Sequence, residues 1–127
     1  MQGRLFKLSV DRKLESCGFM KAFMTSDIAK GLDSEFDRTQ WVGEEYLIAE
    51  ISDDLKDKLT YGETLDGEMM YWIGYLYRYW HYYTNESSKE IVKQAPPKTM
   101  AANYLMFHTM DPKMAVDDLK EIYRQKH

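Results

Sequence analysis

Arg78 and His81 are the two side chains whose types and spacing come nearest to those of a catalytic pair. Two residues separate them, and apolar residues at spacings of three and four predict a helix here, so both lie on neighbouring positions of one surface. A guanidinium can hold a phosphate through parallel hydrogen bonds, and an imidazole can transfer a proton near neutral pH. The pair could therefore cleave a phosphodiester bond of RNA without a metal ion.

The spacing of this pair departs from a known pattern. Helical RNases of the HEPN class carry their arginine and histidine farther apart, whereas only Tyr79 and Trp80 intervene here. In a purely structural interpretation, Arg78 stacks on aromatic faces and His81 forms a hydrogen bond at the helix edge. We keep a metal-independent RNase using Arg78 and His81 as an alternative, and we predict no catalytic residue.

The patterns that hold ions or cofactors are incomplete. Acids between Asp33 and Glu44 match part of a calcium-binding loop, but Arg38 stands where that loop needs glycine. The three histidines are widely separated along the chain. Phosphate-binding loops and dinucleotide fingerprints are absent from the sequence. We therefore predict no metal and no cofactor.

Residues 26–48 could form a helix-turn-helix that reads DNA, with Ala29 at the small position of its first helix. However, Asp33 stands where a glycine is expected, and Glu35 and Glu44 would face phosphates. The net charge of −4 also lacks the positive surface that dominates non-specific binding to nucleic acids. A DNA-binding regulator stays an alternative, and nucleic acid is not the expected partner.

The segment 71–83, YWIGYLYRYWHYY, holds eight tyrosines and tryptophans. One face of one helix cannot bury that much aromatic surface in a small core, so part of it should meet a partner. The helical spacing predicts a core stripe of Leu65, Met69, Trp72, Leu76, Trp80 and Tyr83. A second face remains, where Gly67, Gly74 and His81 recur every seven residues.

We expect this second face to carry the anchors of a protein interface, because tyrosine and arginine are enriched at interface hot spots. Gly67 and Gly74 would let another helix approach closely. The expected partner is another protein or a second copy of the chain. If it is another protein, the negative charge of this chain favours a basic one. The predicted anchors are Tyr71, Tyr75, Arg78, His81 and Tyr82.

Short helices must position these residues. Thr64 can cap a central helix over about residues 64–84, since Asp66 and Glu68 suit its first turn. Ser87 and Glu90 form a capping-box pattern for the next helix. The prolines at 96, 97 and 112 end or open helices over about 98–108 and from 111 onwards.

The first half of the chain gives weaker signals. Residues 4–10 fit either a short strand or a first helical turn, and residues 26–32 fit a short helix capped by Ser26. Apolar residues from Trp41 to Leu59 fit two helices or one bent helix. We predict a single all-α domain over 1–127, a compact bundle of about five to seven short helices around the long aromatic one.

The single cysteine, Cys17, suits a reducing compartment and the role of a small core residue. The sequence shows neither the apolar stretch of a signal peptide nor a run long enough to span a membrane. We therefore expect a cytoplasmic protein without a membrane partner.

The block from Gly62 to Tyr123 resembles small bacterial proteins encoded in toxin–antitoxin-like operons. The resemblance lies in GETLDGEMMYWIGYLYRYWHYYTNESSKEI, the APPKTM turn and YLMFHTMDPKMAVDDLKEIY. It implies a bacterial protein that binds and restrains the product of a neighbouring gene, and it assigns no role to any residue. We expect a non-enzymatic interaction module, an antitoxin or a regulatory partner that occludes another protein.

Overall fold

A computed structural model describes residues 2–33, 44–54 and 59–126, and the regular elements of these parts of the chain are all helices. An isolated β-bridge joins Leu14 to Tyr61. The predicted all-α domain around a long aromatic helix is therefore confirmed, with more and shorter helices than expected. In chain order they are α1 (Gln2–Asp11), α2 (Ser16–Met24), α3 (Asp27–Leu32), α4 (Glu44–Asp54), α5 (Gly67–Thr84), α6 (Ser88–Gln94), α7 (Pro97–Ala102), α8 (Tyr104–Phe107) and α9 (Pro112–Lys126).

The central helix, α5, begins at Gly67, and its N-cap lies two residues later than predicted. Its N-cap is Asp66 rather than Thr64, since the Asp66 carboxylate accepts the N–H groups of Glu68 and Met69. A carboxylate at this position satisfies orphan donors and also suits the positive end of the helix dipole. The helix ends at Asn85, which adopts the left-handed conformation with φ of 63°.

Most of the other predicted helix starts are confirmed. Ser26 caps α3, and Ser87 and Glu90 form a complete capping box before α6. Pro97 occupies the first turn of α7, and the Asp111 carboxylate accepts the N–H of Lys113 at 2.9 Å. The predicted helix over about 98–108 is divided at Asn103 into α7 and α8.

The N-terminal segment, which fitted either a strand or a helix, is helical. Leu5, Phe6 and Ser9 are buried on one side of α1, which packs along α5. The Phe6 ring lies edge-on to Phe19, Phe23 and Tyr77, with ring centroids 5.5 to 6.2 Å apart. Aromatic pairs of this geometry add to the free energy gained by burial.

Helix α4 lies within the region from Trp41 to Leu59 that was predicted to form two helices or one bent helix. It continues through Ser52, so no second helix begins at that residue. Trp41 itself and residues 55–58 lie outside the described residues. The same is true of Glu35 and Arg38 in the segment compared with a calcium loop.

The predicted core stripe of α5 is partly wrong. Leu76 and Trp80 are buried as expected, whereas Met69 and Trp72 are only partly buried and Tyr83 is 38% exposed. The reason is that α1 packs on the glycine side of α5 and rotates the buried face toward it. The buried residues of α5 are Met70, Ile73, Gly74, Leu76, Tyr77, Trp80 and His81.

Gly74 is the point of closest approach between α1 and α5. A Cβ at this position would lie 2.6 Å from the carbonyl oxygen of Gln2 and 2.8 Å from Cγ of Phe6. A Cβ at Gly67 would meet only carbons of the Lys7 side chain, at 3.5 Å or more. The two predicted packing glycines thus differ, since only Gly74 lies against another backbone.

Gly74→Ala should therefore destabilise the protein by about 2 to 3 kcal/mol, because the methyl group must push α1 away from α5. Gly67→Ala is the matched control and should be neutral or stabilising by up to about 1 kcal/mol, since it has room and alanine favours helix. Urea unfolding followed by circular dichroism measures both. Equal effects of the two substitutions would contradict this account of the contact.

Candidate functional site

Tyrosines make up most of the outward face of α5, with Glu68 of its first turn also exposed. Tyr71, Tyr75 and Tyr82 are 42%, 45% and 65% exposed, and their spacings of four and seven residues place them in one row. The row is about 16 Å long at 1.5 Å per residue. We call these three residues the tyrosine face.

A ladder of rings borders the tyrosine face on one side. Tyr75 and Tyr79 stack with centroids 6.3 Å apart, and Tyr79 and Tyr83 follow at 6.1 Å. The Tyr83 hydroxyl donates to Asp117 on α9 at 3.0 Å, and this bond raises the pKa of Tyr83. Lys113 Nζ lies 5.6 Å from the centre of the Tyr83 ring. The ladder is thus held at one end by α9.

Further aromatic and apolar surface lies on α8. Trp72 packs edge-on against Tyr104, whose ring stacks on His108 with centroids 4.4 Å apart. Leu105 and Met106 are 82% and 66% exposed. The prediction of aromatic anchors did not include this surface, because the contact between Trp72 and Tyr104 joins helices far apart in sequence.

Arg78, a predicted anchor, points away from the tyrosine face into a polar cluster. Its Nη1 donates to Asp33 Oδ1 at 2.8 Å, and its Nε and Nη2 donate to Gln2 Oε1 at 2.9 and 2.7 Å. Ser88 donates to the same carboxylate from its hydroxyl, at 2.8 Å, and from its backbone N–H, at 2.9 Å. Arg78 therefore ties α1, the end of α3 and α6 to the central helix.

His81, the other predicted chemical residue, is buried in the same cluster. Its Nδ1 lies 2.7 Å from the carbonyl oxygen of Glu86 and 3.7 Å from Asp33 Oδ1. We call Gln2, Asp33, Arg78, His81 and Ser88 the Asp33 cluster.

The structure brings Arg78 and His81 to one carboxylate, but it does not present them to a substrate. Three guanidinium nitrogens of Arg78 are occupied by Gln2 and Asp33, and His81 is only 8% exposed. RNA cleavage by this pair stays a prediction, and the geometry gives it no support. The arrangement matches the structural interpretation more closely, with hydrogen bonds replacing ring stacking for Arg78.

A second network, centred on Glu86, joins α5, α6 and α9. Glu86 Oε1 accepts the indole N–H of Trp80 at 2.9 Å and Lys120 Nζ at 2.6 Å, and Gln94 also donates to the carboxylate. Burial alone would raise the pKa of Glu86, but these hydrogen bonds, with one from Thr84, outweigh it and lower the pKa to about 2. No local sequence pattern predicts this network, since Lys120 lies 34 residues from Glu86.

The remaining candidate chemistry finds no support in the parts of the chain that the structure describes. The Asp33 carboxylate is already used by Arg78 and Ser88, and no group of His, Cys, Asp and Glu residues among these parts could hold a metal ion. Burial raises the pKa of the Cys17 thiol, with Glu15 adding to the effect, which disfavours the reactive thiolate. The searched helices include none that is long and apolar enough to cross a membrane.

Comparison with known proteins adds no further constraint. No protein-family model, curated protein or solved structure matches the chain.

Asp33→Ala should cost about 3 to 5 kcal/mol of folding stability, because it leaves the Arg78 guanidinium largely buried without its carboxylate. Glu121→Ala is the matched control, since it breaks the exposed ion pair with Arg124 and should cost less than about 1 kcal/mol. Guanidinium unfolding at neutral pH measures both. A cost for Asp33→Ala as small as that of the control would show that the Asp33 cluster is not structural.

Glu86 should make stability depend on pH in the acid range. Its pKa in the folded protein is about 2, below the ordinary value of 4.5, so the native state binds fewer protons than the unfolded state. The contribution of Glu86 to the free energy of unfolding is complete above about pH 5 and is lost as the pH falls through 2. This contribution is on the order of 3 kcal/mol.

Glu86→Gln should flatten this part of the pH profile relative to the wild type. Urea unfolding between pH 2 and 6 measures the difference, with Glu121→Gln as the exposed control that keeps the wild-type slope. Parallel profiles for the wild type and Glu86→Gln would contradict the assignment.

Proposed function

We propose that this chain is a non-enzymatic protein-interaction module that binds another protein through the tyrosine face of α5. The observation that carries the proposal is the row of Tyr71, Tyr75 and Tyr82, exposed at positions where a solvated helix carries charged residues. Exposed aromatic residues in a continuous row are typical of interaction sites. Arg78, the one charged side chain between these tyrosines, is turned into the Asp33 cluster.

The chemistry of tyrosine suits this role. Each ring offers a large area for burial while its hydroxyl keeps a hydrogen-bonding tip, and few rotatable bonds must be fixed on binding. Tyr75 already stacks on Tyr79, which leads to Tyr83 and its bond to α9. These side chains are therefore already partly ordered in the free protein, which lowers the entropy lost on binding.

The proposed interface set differs from the set predicted from the sequence. Tyr71, Tyr75 and Tyr82 stay as anchors, whereas Arg78 and His81 act through the fold by holding α5 in place. Gly74 has the same indirect role, since it sets the rotation of α5. Tyr79 and Tyr83 are added at the border of the face.

We further propose that the chain acts as an antitoxin or regulatory partner, covering a functional surface of a second bacterial protein in the cytoplasm. The resemblance of residues 62–123 to proteins of toxin–antitoxin-like operons supports this part. The net charge of −4 would steer a basic partner toward the chain, although the contact itself depends on the rings.

Replacement of Tyr75 and Tyr82 together by alanine should weaken partner binding at least about tenfold, since aromatic anchors near the centre of an interface dominate its affinity. Both side chains are exposed, so the fold should lose less than about 1 kcal/mol. Tyr46→Ala removes a tyrosine that is 60% exposed on α4 and serves as the matched control.

The measurement begins with affinity capture from native lysate, quantified by mass spectrometry for the wild type and both variants. Titration calorimetry with the captured protein then gives the affinities, and nitration shows whether Tyr71, Tyr75 and Tyr82 become protected in the complex. Equal affinity of the double variant and the wild type would refute the tyrosine face as the interface. A wild type that is monomeric and captures nothing would refute the wider proposal.

A further inference from the structure

A groove lies between α2 and the segment from α6 to the start of α7, away from the tyrosine face. Its volume is about 400 Å³. Lys21 and Thr25 form one wall and lie four residues apart on α2 and its C-cap. Lys89 and Lys93 have the same spacing on α6 and form the other wall. Two helical rows of side chains thus face each other.

The floor of the groove is apolar. Val92 is 6% exposed, and the rings of Pro96 and Pro97 close the end where α6 gives way to α7. The distance along the wall from Lys89 to Pro96 is about 10 Å of helix, the length of about three residues in an extended chain. The groove therefore has room for one apolar side chain with a residue on each side.

The rim of the groove is positive, although the chain as a whole is negative. Lys21, Lys89 and Lys93 are exposed, and none of them forms an ion pair with an acid whose side chain the structure describes. Among the described residues, the groove lining contains no carboxylate. Three unneutralised lysines around an apolar floor complement a ligand that combines carboxylates with an apolar group.

A second hollow, of about 300 Å³, adjoins the first and shares Thr25 and Lys89 with it. It is polar, and its lining adds Lys30 and the backbone turn at Ser26. Asp27 and Asp33 also line it, the latter already neutralised by Arg78. A bound chain could therefore continue past the apolar floor into a polar, hydrated region.

We propose that this groove binds an acidic peptide segment of another protein, with an apolar side chain held over Val92 and Pro96 and carboxylates paired with Lys21, Lys89 and Lys93. The inference goes beyond the proposed function, because it uses none of the residues of the tyrosine face and assigns a second ligand of defined chemistry.

A peptide fits this groove better than a nucleic acid does. Single-stranded RNA and DNA are held by aromatic side chains on which bases stack, together with basic residues. No aromatic ring is found in the described lining of either hollow. The floor instead consists of valine and proline, which accept an aliphatic or aromatic side chain of a peptide.

The test uses a fluorescein-labelled peptide with one leucine flanked on each side by two glutamates, followed by fluorescence anisotropy with the full chain. Replacement of all three lysines, at 21, 89 and 93, by glutamine should weaken binding at least about tenfold, because three charge pairs are lost together. Their replacement by arginine keeps the charge and should retain binding. The matched control replaces Lys7, Lys113 and Lys126 by glutamine, which changes the net charge equally elsewhere on the surface.

Two further peptides separate charge from apolar contact. A peptide with glutamine in place of glutamate and one with serine in place of leucine should each bind at least about tenfold more weakly than the parent. Added salt should weaken the parent peptide more than the glutamine peptide, which keeps only the charges of the label and the chain end. Tyr75→Ala with Tyr82→Ala should bind the parent peptide normally, so failure of the tyrosine-face proposal is distinguishable from failure of this one.

Several outcomes would overturn the inference. Equal loss of binding in both glutamine triple variants would mean that only net charge matters. Stronger binding of an oligothymidine than of the peptide would assign the groove to a nucleic acid. A wild-type dimer in sedimentation that dissociates in the groove variant would assign it to a second copy of the chain. Absence of saturable peptide binding would leave the groove without this ligand.

Discussion

The close contact of α1 with α5 at Gly74 is the constraint on which the rest of the structure depends. Because this residue has no side chain, the Gln2 carbonyl and the Phe6 ring reach the backbone of the central helix. The contact fixes the rotation of α5 about its axis. Tyr77 and His81, on the glycine side, therefore turn inward, and Tyr71, Tyr75 and Tyr82 turn outward. Gly3 faces α5 in the same way, since a Cβ there would lie 2.8 Å from the Tyr71 carbonyl oxygen, so two glycines together set which aromatic rings are core and which are surface.

The charged side chains near α5 also differ between the interior and the surface. The Asp33 cluster and the Glu86 network each use a carboxylate to hold cationic side chains from other helices. Arg78 is thereby largely buried and Lys120 partly buried, and the uncharged rings of Tyr71, Tyr75 and Tyr82 are exposed on α5 beyond Glu68. The lysines of the groove between α2 and α6 have no such acid among the described residues. An acidic chain can therefore carry one locally positive surface.

The features that could be predicted from the sequence are local ones. The caps at Ser26 and Ser87 and the proline that opens α7 depend on residues within one turn, so their patterns are visible in the chain. Tyr71, Tyr75 and Tyr82 were predicted as anchors together with Arg78 and His81, and only the three tyrosines are exposed. The burial of Tyr77 and His81 could not be predicted, because it depends on α1, whose short alternating segment fitted strand and helix equally. Arg78 lies 45 residues from Asp33 and 76 from Gln2, so nothing near it in the sequence showed that it turns inward.

The buried hydroxyl of Tyr77 connects the two surfaces of the molecule. It donates to the carbonyl oxygen of Ala95 at 2.6 Å, immediately before the two prolines that close the groove. Pro96 and Pro97 have no N–H group, so the only backbone donor among these three residues is the N–H of Ala95, which bonds to the Ile91 carbonyl oxygen. The hydrogen bond from Tyr77 adds a link between this turn and the central helix. The end wall of the groove is consequently tied, through the Tyr77 hydroxyl and the Ala95 carbonyl oxygen, to the same helix that carries the tyrosine face.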